Sequence, residues 1–366
     1  MSGAAALGSH VFLVRSSLQF LLATALAVDQ VERTQQPCRM LFLPDLPDPA
    51  LFLRAAAQCI DSPFDGVVLI EPGQRSAAIR RELRARIAVA RPISLTVFND
   101  REEAGQTVLI ATAREFPQAR RRCAEDGSLA YTEFVFRRHS AITQLRQALR
   151  VGRNWSNVRV LGTHPLVQDF IALHPQLLRA ELRGRRIQTF PVGALDSSAL
   201  RSLALAVCAD AGFDASAVPE NAAMLTISHS SYAQRNPDYV QMIATCARWL
   251  QGRPGRFFVK YHPRESHPDY LNLCAAGPTQ EIARTVPAEC LYLTLRDRPL
   301  TIVGGMSTAL LTAGLLMPRV RCVALMHASA SGETWDRRLL DELRITPLAD
   351  QAAIAAYFGN GSAWSA

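Results

Sequence analysis

The side chains with the clearest chemical potential stand at the end of a short apolar run, where Lys260, His262 and Pro263 lie close together. Lys260 is the only lysine of the chain, among 40 lysine and arginine residues. Because the two side chains differ in hydration and donor geometry, this choice indicates that a compact ammonium is needed there. Ligands collect at the carboxyl ends of strands in open α/β sheets, so the pattern predicts a binding site. The alternative is an ordinary strand-end lysine followed by a His-Pro turn.

A second candidate follows the apolar run 300–303, where Gly304 and Gly305 precede Ser307 and Thr308. The pattern is typical of a strand, a glycine turn and the start of a helix. Backbone N–H groups, hydroxyls and the positive end of the helix can then surround a phosphate. Alternatively, Ser307 or Thr308 only caps the helix, and the two roles are compatible.

A third candidate is the acidic pair Glu125-Asp126, which precedes Gly127 and follows an arginine-rich segment. A carboxylate in a cleft can act as general base toward a sugar hydroxyl when burial or neighbouring groups tune its pKa. Taken alone, the sequence Glu-Asp-Gly is also typical of a solvated turn.

The elements that must position these residues alternate along the chain as β-type apolar runs and helical stretches, which predicts parallel βαβ units. The predicted strands cover residues 38–43, 66–70, 93–98, 107–111, 158–161, 222–228, 289–293, 300–303 and 321–325, with further strands at 11–15 and up to Lys260. The predicted helices begin at Ser17 and cover residues 75–90, 142–150, 197–217, 237–250, 279–285 and 308–316.

The alternation restarts after a connecting helix, which predicts two α/β domains that meet at a cleft. Residues 1–195 form the first, Rossmann-like domain with the acidic pair, and residues 196–221 form the linker helix and connection. Residues 222–366 form the second Rossmann-like domain, with a last helix that is free to pack back on the first.

The three candidates together resemble the bacterial sialyltransferases, the group of lipooligosaccharide sialyltransferases and capsule polysialyltransferases. That family carries an acidic-acidic-Gly motif, a His-Pro motif and a Ser-Ser or Ser-Thr motif in this order. Here they stand as Glu125-Asp126-Gly127, His262-Pro263 and Ser307-Thr308. The resemblance implies a GT-B fold, α/β with two Rossmann-like domains, and CMP-sialic acid as the donor substrate.

Further positions agree with the family. The opening 12–19 looks like its first strand and the following Leu-Gln turn, although Ser17 stands where proline is common. Residues 286–289 resemble the segment whose glutamate holds the nucleotide ribose. The resemblance thus touches both halves of the chain.

Roles in catalysis follow from the resemblance at the matching positions. It implies that Glu125 or Asp126 deprotonates the acceptor hydroxyl, with Glu125 preferred, and that His262 donates to the departing CMP phosphate. An inverting displacement needs such a base on one face of the anomeric carbon and leaving-group stabilisation on the other.

Roles in donor binding are implied in the same way. Ser307 and Thr308 grip the phosphate, Lys260 approaches the cytosine and Glu289 bonds the ribose hydroxyls, with Pro263 and Gly305 as further donor-binding positions. No metal and no cofactor beyond the donor are expected, because the single phosphate of CMP can be satisfied by hydroxyls and a helix end.

Composition narrows the partners and the compartment. The chain has 366 residues, a net charge of +8 and 8 scattered cysteines, which is typical of a cytoplasmic protein with reduced thiols. The positive charge favours anionic partners and is compatible with peripheral association with the acidic surface of the inner membrane. We expect a CMP-sugar donor and a glycan or glycolipid acceptor, and no nucleic acid, because the arginine excess resembles general usage in an alanine-rich chain.

Two other functions fit the same residues. A transferase of another CMP-activated acidic sugar, such as Kdo, would need a similar nucleotide site. A non-catalytic GT-B protein would keep the nucleotide site without using the acidic pair.

Overall fold

The computed structural model describes residues 8–45, 48–71, 73–252, 257–275, 279–305, 307–326 and 337–359. The chain divides into two compact units, Met1–Leu203 and Ala204–Ala366. The division lies inside the segment that the sequence assigns to the linker, and the finer boundaries at 195 and 221 stay predictions.

The first unit is built on a seven-stranded parallel sheet with the order β3-β2-β1-β4-β5-β6-β7. Its strands are β1 (Ser9–Val14), β2 (Cys38–Phe42), β3 (Phe64–Leu69), β4 (Pro92–Val97), β5 (Arg120–Ala124), β6 (Asp169–Ala172) and β7 (Arg186–Thr189). Its helices are α1 (Ser17–Thr34), α2 (Ala50–Gln58), α3 (Ser76–Ala90), α4 (Glu103–Glu115), α5 (Ala141–Val151) and α6 (Ala180–Arg183), and α7 (Ser198–Asp210) runs across the division.

The centre of this unit is fixed by the first strand and helix of the chain. All six residues of β1 are buried. Ser16 then caps α1 by accepting a hydrogen bond from the Gln19 backbone N–H at 3.2 Å, so the chain turns directly from strand to helix. Phe20 of α1 packs edge-on against Phe42 of β2, with ring centroids 5.3 Å apart. This core places the start of α1 at the carboxyl edge of the sheet.

The second unit is built on a six-stranded parallel sheet with the order β10-β9-β8-β11-β12-β13. Its strands are β8 (Ala223–Ile227), β9 (Phe257–Tyr261), β10 (Thr279–Glu281), β11 (Leu300–Gly305), β12 (Val320–Leu325) and β13 (Ile345–Leu348). Its helices are α8 (Ser230–Ala233), α9 (Pro237–Gln251), α10 (Ala288–Thr294), α11 (Thr308–Leu316), α12 (Arg337–Glu342) and α13 (Gln351–Gly359).

Strand order reverses beside β8 in this second sheet. The chain runs outward from β8 to β9 and β10, and then returns to place β11 on the other side of β8. In open α/β sheets the crevice outside the carboxyl ends at such a reversal is the usual place for a ligand. Helix α13 packs against α9 and β13 within its own unit.

Most of the predicted alternation is confirmed, including helices α3, α5, α9 and α11 and strands β2, β3, β4, β8 and β12. Four predictions are wrong. Residues 107–111 lie in α4, 158–161 are not a strand, 279–281 form β10 instead of a helix, and 289–293 lie in α10. The predicted helix 197–217 ends at Asp210.

Two of the errors, at residues 107–111 and 289–293, have the same physical cause, which is that a short apolar run does not distinguish a strand from a buried helical turn. In α4 the Thr107 hydroxyl donates to the Glu103 carbonyl at 2.7 Å, one helical turn back. In α10 the four residues from Cys290 to Leu293 are all buried, which gives the same apolar run as a strand would. Within the described residues, no helix is long and apolar enough to cross a membrane.

Candidate functional site

The carboxyl edge of the second sheet brings together residues from three neighbouring strands. His262 follows β9, the segment Ser228–Ser230 follows β8, and Ser307 follows β11. Because β8 lies between β9 and β11, these loops surround the point where the strand order reverses. Two of the motifs found in the sequence, His262-Pro263 and Ser307-Thr308, therefore lie at the same edge, on either side of the end of β8.

His262 is held in a defined tautomer. Its Nδ1 accepts a hydrogen bond from the Arg264 backbone N–H at 3.1 Å, so the proton of the neutral ring is carried by Nε2. Burial, together with the charges of His229, Arg264 and Lys260, lowers the pKa of His262 to about 4. At neutral pH the residue is thus a neutral Nε2–H donor, while Pro263 beside it is exposed.

His229 is a second imidazole at this edge and is not among the residues predicted from the sequence. Its ring packs edge-on against the ring of His262, with centroids 5.7 Å apart and planes at 85°. Its Nδ1 accepts from the Ser231 backbone N–H at 3.1 Å, which again leaves the proton on Nε2. Two similar N–H donors therefore stand side by side where β8 and β9 end. In the sequence, His229 is marked only by its position after an apolar run. Without a neighbouring proline, this position is weak evidence for a functional histidine.

Glu265 ties the loops after β8 and β9 together. It accepts from the Ser230 backbone N–H at 2.6 Å and from the His267 backbone N–H at 2.9 Å. Burial opposes its ionisation, but these N–H donors outweigh burial and lower the pKa of Glu265 to about 2. A permanent carboxylate thus fixes both histidine loops.

Lys260 lies inside the sheet edge, with 4% of its surface exposed. Its Nζ donates to the carbonyls of Tyr261 at 3.2 Å and Arg284 at 3.4 Å. Burial lowers the pKa of Lys260 to about 8, against the opposing effect of the negative charge of Glu289. At neutral pH the ammonium is mostly protonated and braces the loop before α10, whose first turn carries Glu289.

The Ser-Thr motif forms the start of α11. The Ser307 hydroxyl accepts from the Leu310 backbone N–H at 3.3 Å and so caps the helix, and Thr308 is the first helical residue. Capping by Ser307 is thus confirmed, and phosphate binding by Ser307 and Thr308 stays a prediction.

The predicted glycine turn before this helix is wrong, because Gly304 and Gly305 belong to β11. A Cβ on Gly304 would lie 2.0 Å from the Thr226 hydroxyl oxygen, and one on Gly305 would lie 2.9 Å from the Tyr239 ring. The two glycines therefore allow close packing at the strand end. The role of Gly305 in donor binding stays a prediction.

In the first unit the acidic pair follows β5 and splits into two environments. Glu125 is 3% exposed. Its Oε2 accepts from the Leu173 backbone N–H at 2.6 Å and from the Tyr131 hydroxyl. Burial raises the pKa of Glu125 to about 7, even though these two donors favour the carboxylate.

Asp126 is more accessible and is held by the first helix. It is half-buried, and its Oδ2 accepts from the Gln19 side-chain amide at 2.8 Å. The Gln19 Oε1 in turn accepts from the Arg15 backbone N–H at 2.8 Å. The opening segment of the chain therefore orients Asp126, a link across 107 positions that local patterns do not reveal.

The raised pKa of Glu125 predicts a pH-dependent stability. The ordinary pKa of a glutamate is 4.5, and the pKa of Glu125 in the folded protein is about 7. The protonated carboxyl therefore stabilises the folded state. This contribution is fully present below pH 4.5 and is lost as the pH rises through 7. Between about pH 5 and pH 8 we expect the free energy of unfolding of wild type to fall by about 2 to 3 kcal/mol relative to Glu125→Gln. Urea unfolding at each pH measures this difference.

Glu133→Gln provides the control for this measurement, because Glu133 is exposed. Its free energy of unfolding should follow that of wild type across the range. Parallel pH curves for wild type and Glu125→Gln would contradict the burial of an ionisable carboxyl at this position.

The chain is similar to several solved structures. A sialyltransferase from Photobacterium damsela is 13% identical, with 94% of this chain and 82% of that chain covered and a TM-score of 0.55. A putative UDP-N-acetylglucosamine 2-epimerase from Listeria monocytogenes is 12% identical, with coverage of 99% and 92% and a TM-score of 0.58. The UDP-GlcNAc 2-epimerase from Methanocaldococcus jannaschii is 11% identical, with coverage of 95% and 91% and a TM-score of 0.56.

These similarities concern the whole fold. They confirm the predicted α/β class, of GT-B type with two Rossmann-like domains. No family model and no curated protein sequence matches the chain. At such low identities the comparisons establish the fold and leave the reaction to be argued from the residues.

Proposed function

We propose that the chain is a metal-independent, inverting glycosyltransferase that transfers sialic acid from CMP-sialic acid to a hydroxyl of a cell-surface glycan or glycolipid. The observation that carries the proposal is the edge of the second sheet. There the Nε2–H of His262 and the capped start of α11 lie on either side of the strand-order reversal. Both suit one phosphate, and a CMP-sugar has one phosphate.

In the proposed reaction the acceptor oxygen forms a bond to the anomeric carbon of the sugar. The bond from that carbon to the phosphate oxygen breaks, its electron pair leaves with CMP, and the acceptor proton passes to a carboxylate. Negative charge grows on the phosphate in the transition state, so N–H and O–H donors aimed at it accelerate the step. His262, Ser307 and Thr308 supply such donors.

We assign the base to Asp126 in preference to Glu125. A base must reach the acceptor hydroxyl directly, and the half-buried Asp126 is more accessible than Glu125. One oxygen of Glu125 already receives two donors within its own unit. In this assignment Glu125 holds the turn in place, and Gln19 orients the base.

Lys260 and Glu289 act on the nucleoside side of the proposed donor. Lys260 donates to the loop carbonyl of Arg284 and is influenced by the charge of Glu289. In this proposal the ammonium keeps the loop closed around the cytosine, and the Glu289 carboxylate accepts from the ribose hydroxyls.

A thermal-shift titration with CMP, UMP, UDP and UDP-GlcNAc tests the nucleotide. At 100 times its dissociation constant, a ligand stabilises the folded protein by about 2.7 kcal/mol. We expect CMP alone to do so, with the effect reduced in His262→Ala and Lys260→Met and kept in His267→Ala. The control is matched because His267 is an exposed histidine that also precedes a proline.

Product analysis then tests the sugar. CMP release and a new glycoside from CMP-sialic acid, with no turnover of CMP-Kdo, would support the sialyltransferase. Turnover of CMP-Kdo alone would instead show that the protein is a Kdo transferase. Stabilisation by UDP and UDP-GlcNAc in place of CMP would contradict the proposal and favour the chemistry named for the epimerase structures.

A further inference from the structure

Helix α5 of the first unit has its apolar side turned away from the protein. Ile142, Leu145 and Leu149 are 66%, 63% and 78% exposed. The inward side carries the half-buried Thr143, Gln144, Gln147 and Ala148, with the buried Val151 at the end of the helix, and Gln144 donates to the His139 carbonyl at 2.7 Å. A surface helix of a globular protein normally buries its apolar side, so this helix is inverted.

The outward apolar residues form one narrow stripe. At about 100° per residue, Ile142, Leu145 and Leu149 fall within an arc of about 60°. Arg146 and Arg150 lie beside the stripe, about 40° to 80° away along the helix surface. The neighbouring Phe134 and Val135 are both 38% exposed, so five of the eleven large apolar side chains exposed among the described residues lie in this region.

The charged residues of the segment that carries the stripe are arginines. Residues 134–160 contain six arginines and no aspartate or glutamate. All six are exposed: Arg137, Arg138, Arg146, Arg150, Arg153 and Arg159. An apolar stripe flanked by cations is the pattern of a helix that lies in the interface of an anionic bilayer.

The segment is structured rather than a loose tail. Ser140 caps α5 by accepting from the Thr143 backbone N–H at 3.3 Å, and α5 packs against α4. Arg101 stacks on the Phe136 ring at 4.3 Å and donates to the Val158 carbonyl at 2.9 Å. The apolar side chains are therefore displayed on a fixed element.

We propose that α5 is a membrane-docking helix that inserts Ile142, Leu145 and Leu149 into the interface of an anionic lipid bilayer, with the flanking arginines on the lipid headgroups. Two features favour a bilayer over a protein partner. The apolar residues lie in a segment with six exposed arginines, and arginine stems can cover apolar surface while their guanidinium groups reach phosphate. The inference does not depend on the proposed glycosyl transfer.

Flotation of the full chain with lipid vesicles tests the proposal. We expect the protein to float with vesicles of equal phosphatidylglycerol and phosphatidylcholine and to stay behind with phosphatidylcholine alone. Leu145→Ser with Leu149→Ser should lower the partition coefficient at least about tenfold, because less apolar area is buried in the interface. Arg146→Gln with Arg150→Gln should lower it about tenfold through lost headgroup attraction.

Matched controls separate docking from general surface changes. Ile60→Ser removes an apolar residue that is 99% exposed elsewhere in the same unit, and Arg81→Gln with Arg114→Gln removes two exposed charges from other helices. Both controls should float like wild type. Because the altered side chains are exposed, melting temperatures should stay unchanged in all variants.

Three results would overturn the proposal. Wild type could fail to float with the anionic vesicles, or the leucine variant could float as well as wild type. Alternatively, sedimentation without vesicles could show that wild type is a dimer and the leucine variant a monomer, while neither protein floats with vesicles. The stripe would then be a contact between two copies of the chain.

Discussion

Asp126→Asn is expected to lower kcat for sugar transfer by about 10³-fold while CMP stabilises the variant as it does wild type. The amide cannot take the acceptor proton, but its oxygen can still accept from Gln19, which donates to Asp126 Oδ2 at 2.8 Å. The change therefore removes the base with little disturbance of the turn. Steady-state release of CMP at saturating acceptor measures the loss.

Glu125→Gln is the matched variant for this experiment. Glu125 is buried and engaged by Tyr131 and Leu173, so the amide should keep kcat within about tenfold of wild type near neutral pH. The opposite result, with Glu125→Gln inactive and Asp126→Asn active, would show that Glu125 is the general base. Loss of CMP stabilisation in Asp126→Asn would indicate a disturbed fold in place of a lost base.

The sequence predicted the parts of the site that follow directly from strands. His262 and Ser307 come after apolar runs, and in parallel sheets the ends of such runs meet at one edge. Only the order of the elements along the chain is needed to place these two residues at one edge. The wrong element types predicted for residues 279–281 and 289–293 therefore do not change their position.

Contacts between distant segments could not be read in this way. β5 begins with three arginines and does not look like a strand. Part of its charge is compensated by the buried Asp169 of β6, which accepts from Arg120 Nε at 2.6 Å, 49 positions away in sequence. The bond from Gln19 to Asp126 is of the same kind. Local patterns predict elements, whereas pairing across the sheet decides which charges can be buried.

His229 shows a second limit, because its importance comes only from its neighbour. Only its position after the apolar run of β8 marks it in the sequence, yet its ring packs against that of His262. His262 was found because it precedes a proline at a strand end. A histidine without such a context is recognised only when the strand order β9-β8-β11 is known.

His262→Ala is expected to lower kcat by about 10² to 10³-fold, the usual effect of removing one donor from a developing oxyanion. The pKa of His262 lies near 4, so the ring is neutral at neutral pH and donates through Nε2–H. Between about pH 6 and pH 8 the ratio of wild-type to variant kcat should therefore stay constant. A ratio that falls steeply with rising pH would indicate an imidazolium in place of the neutral donor.

His229→Ala decides whether the second imidazole serves the same phosphate. If both Nε2–H groups bind it, His229→Ala should lower kcat/KM at least about tenfold, and the double variant should lose less than the product of the single losses. Residues in contact that share one ligand are not independent, and these rings lie 5.7 Å apart. His267→Ala should keep full activity. If His229→Ala also keeps it, His229 only supports the His262 ring, and the phosphate is held by His262 with the start of α11.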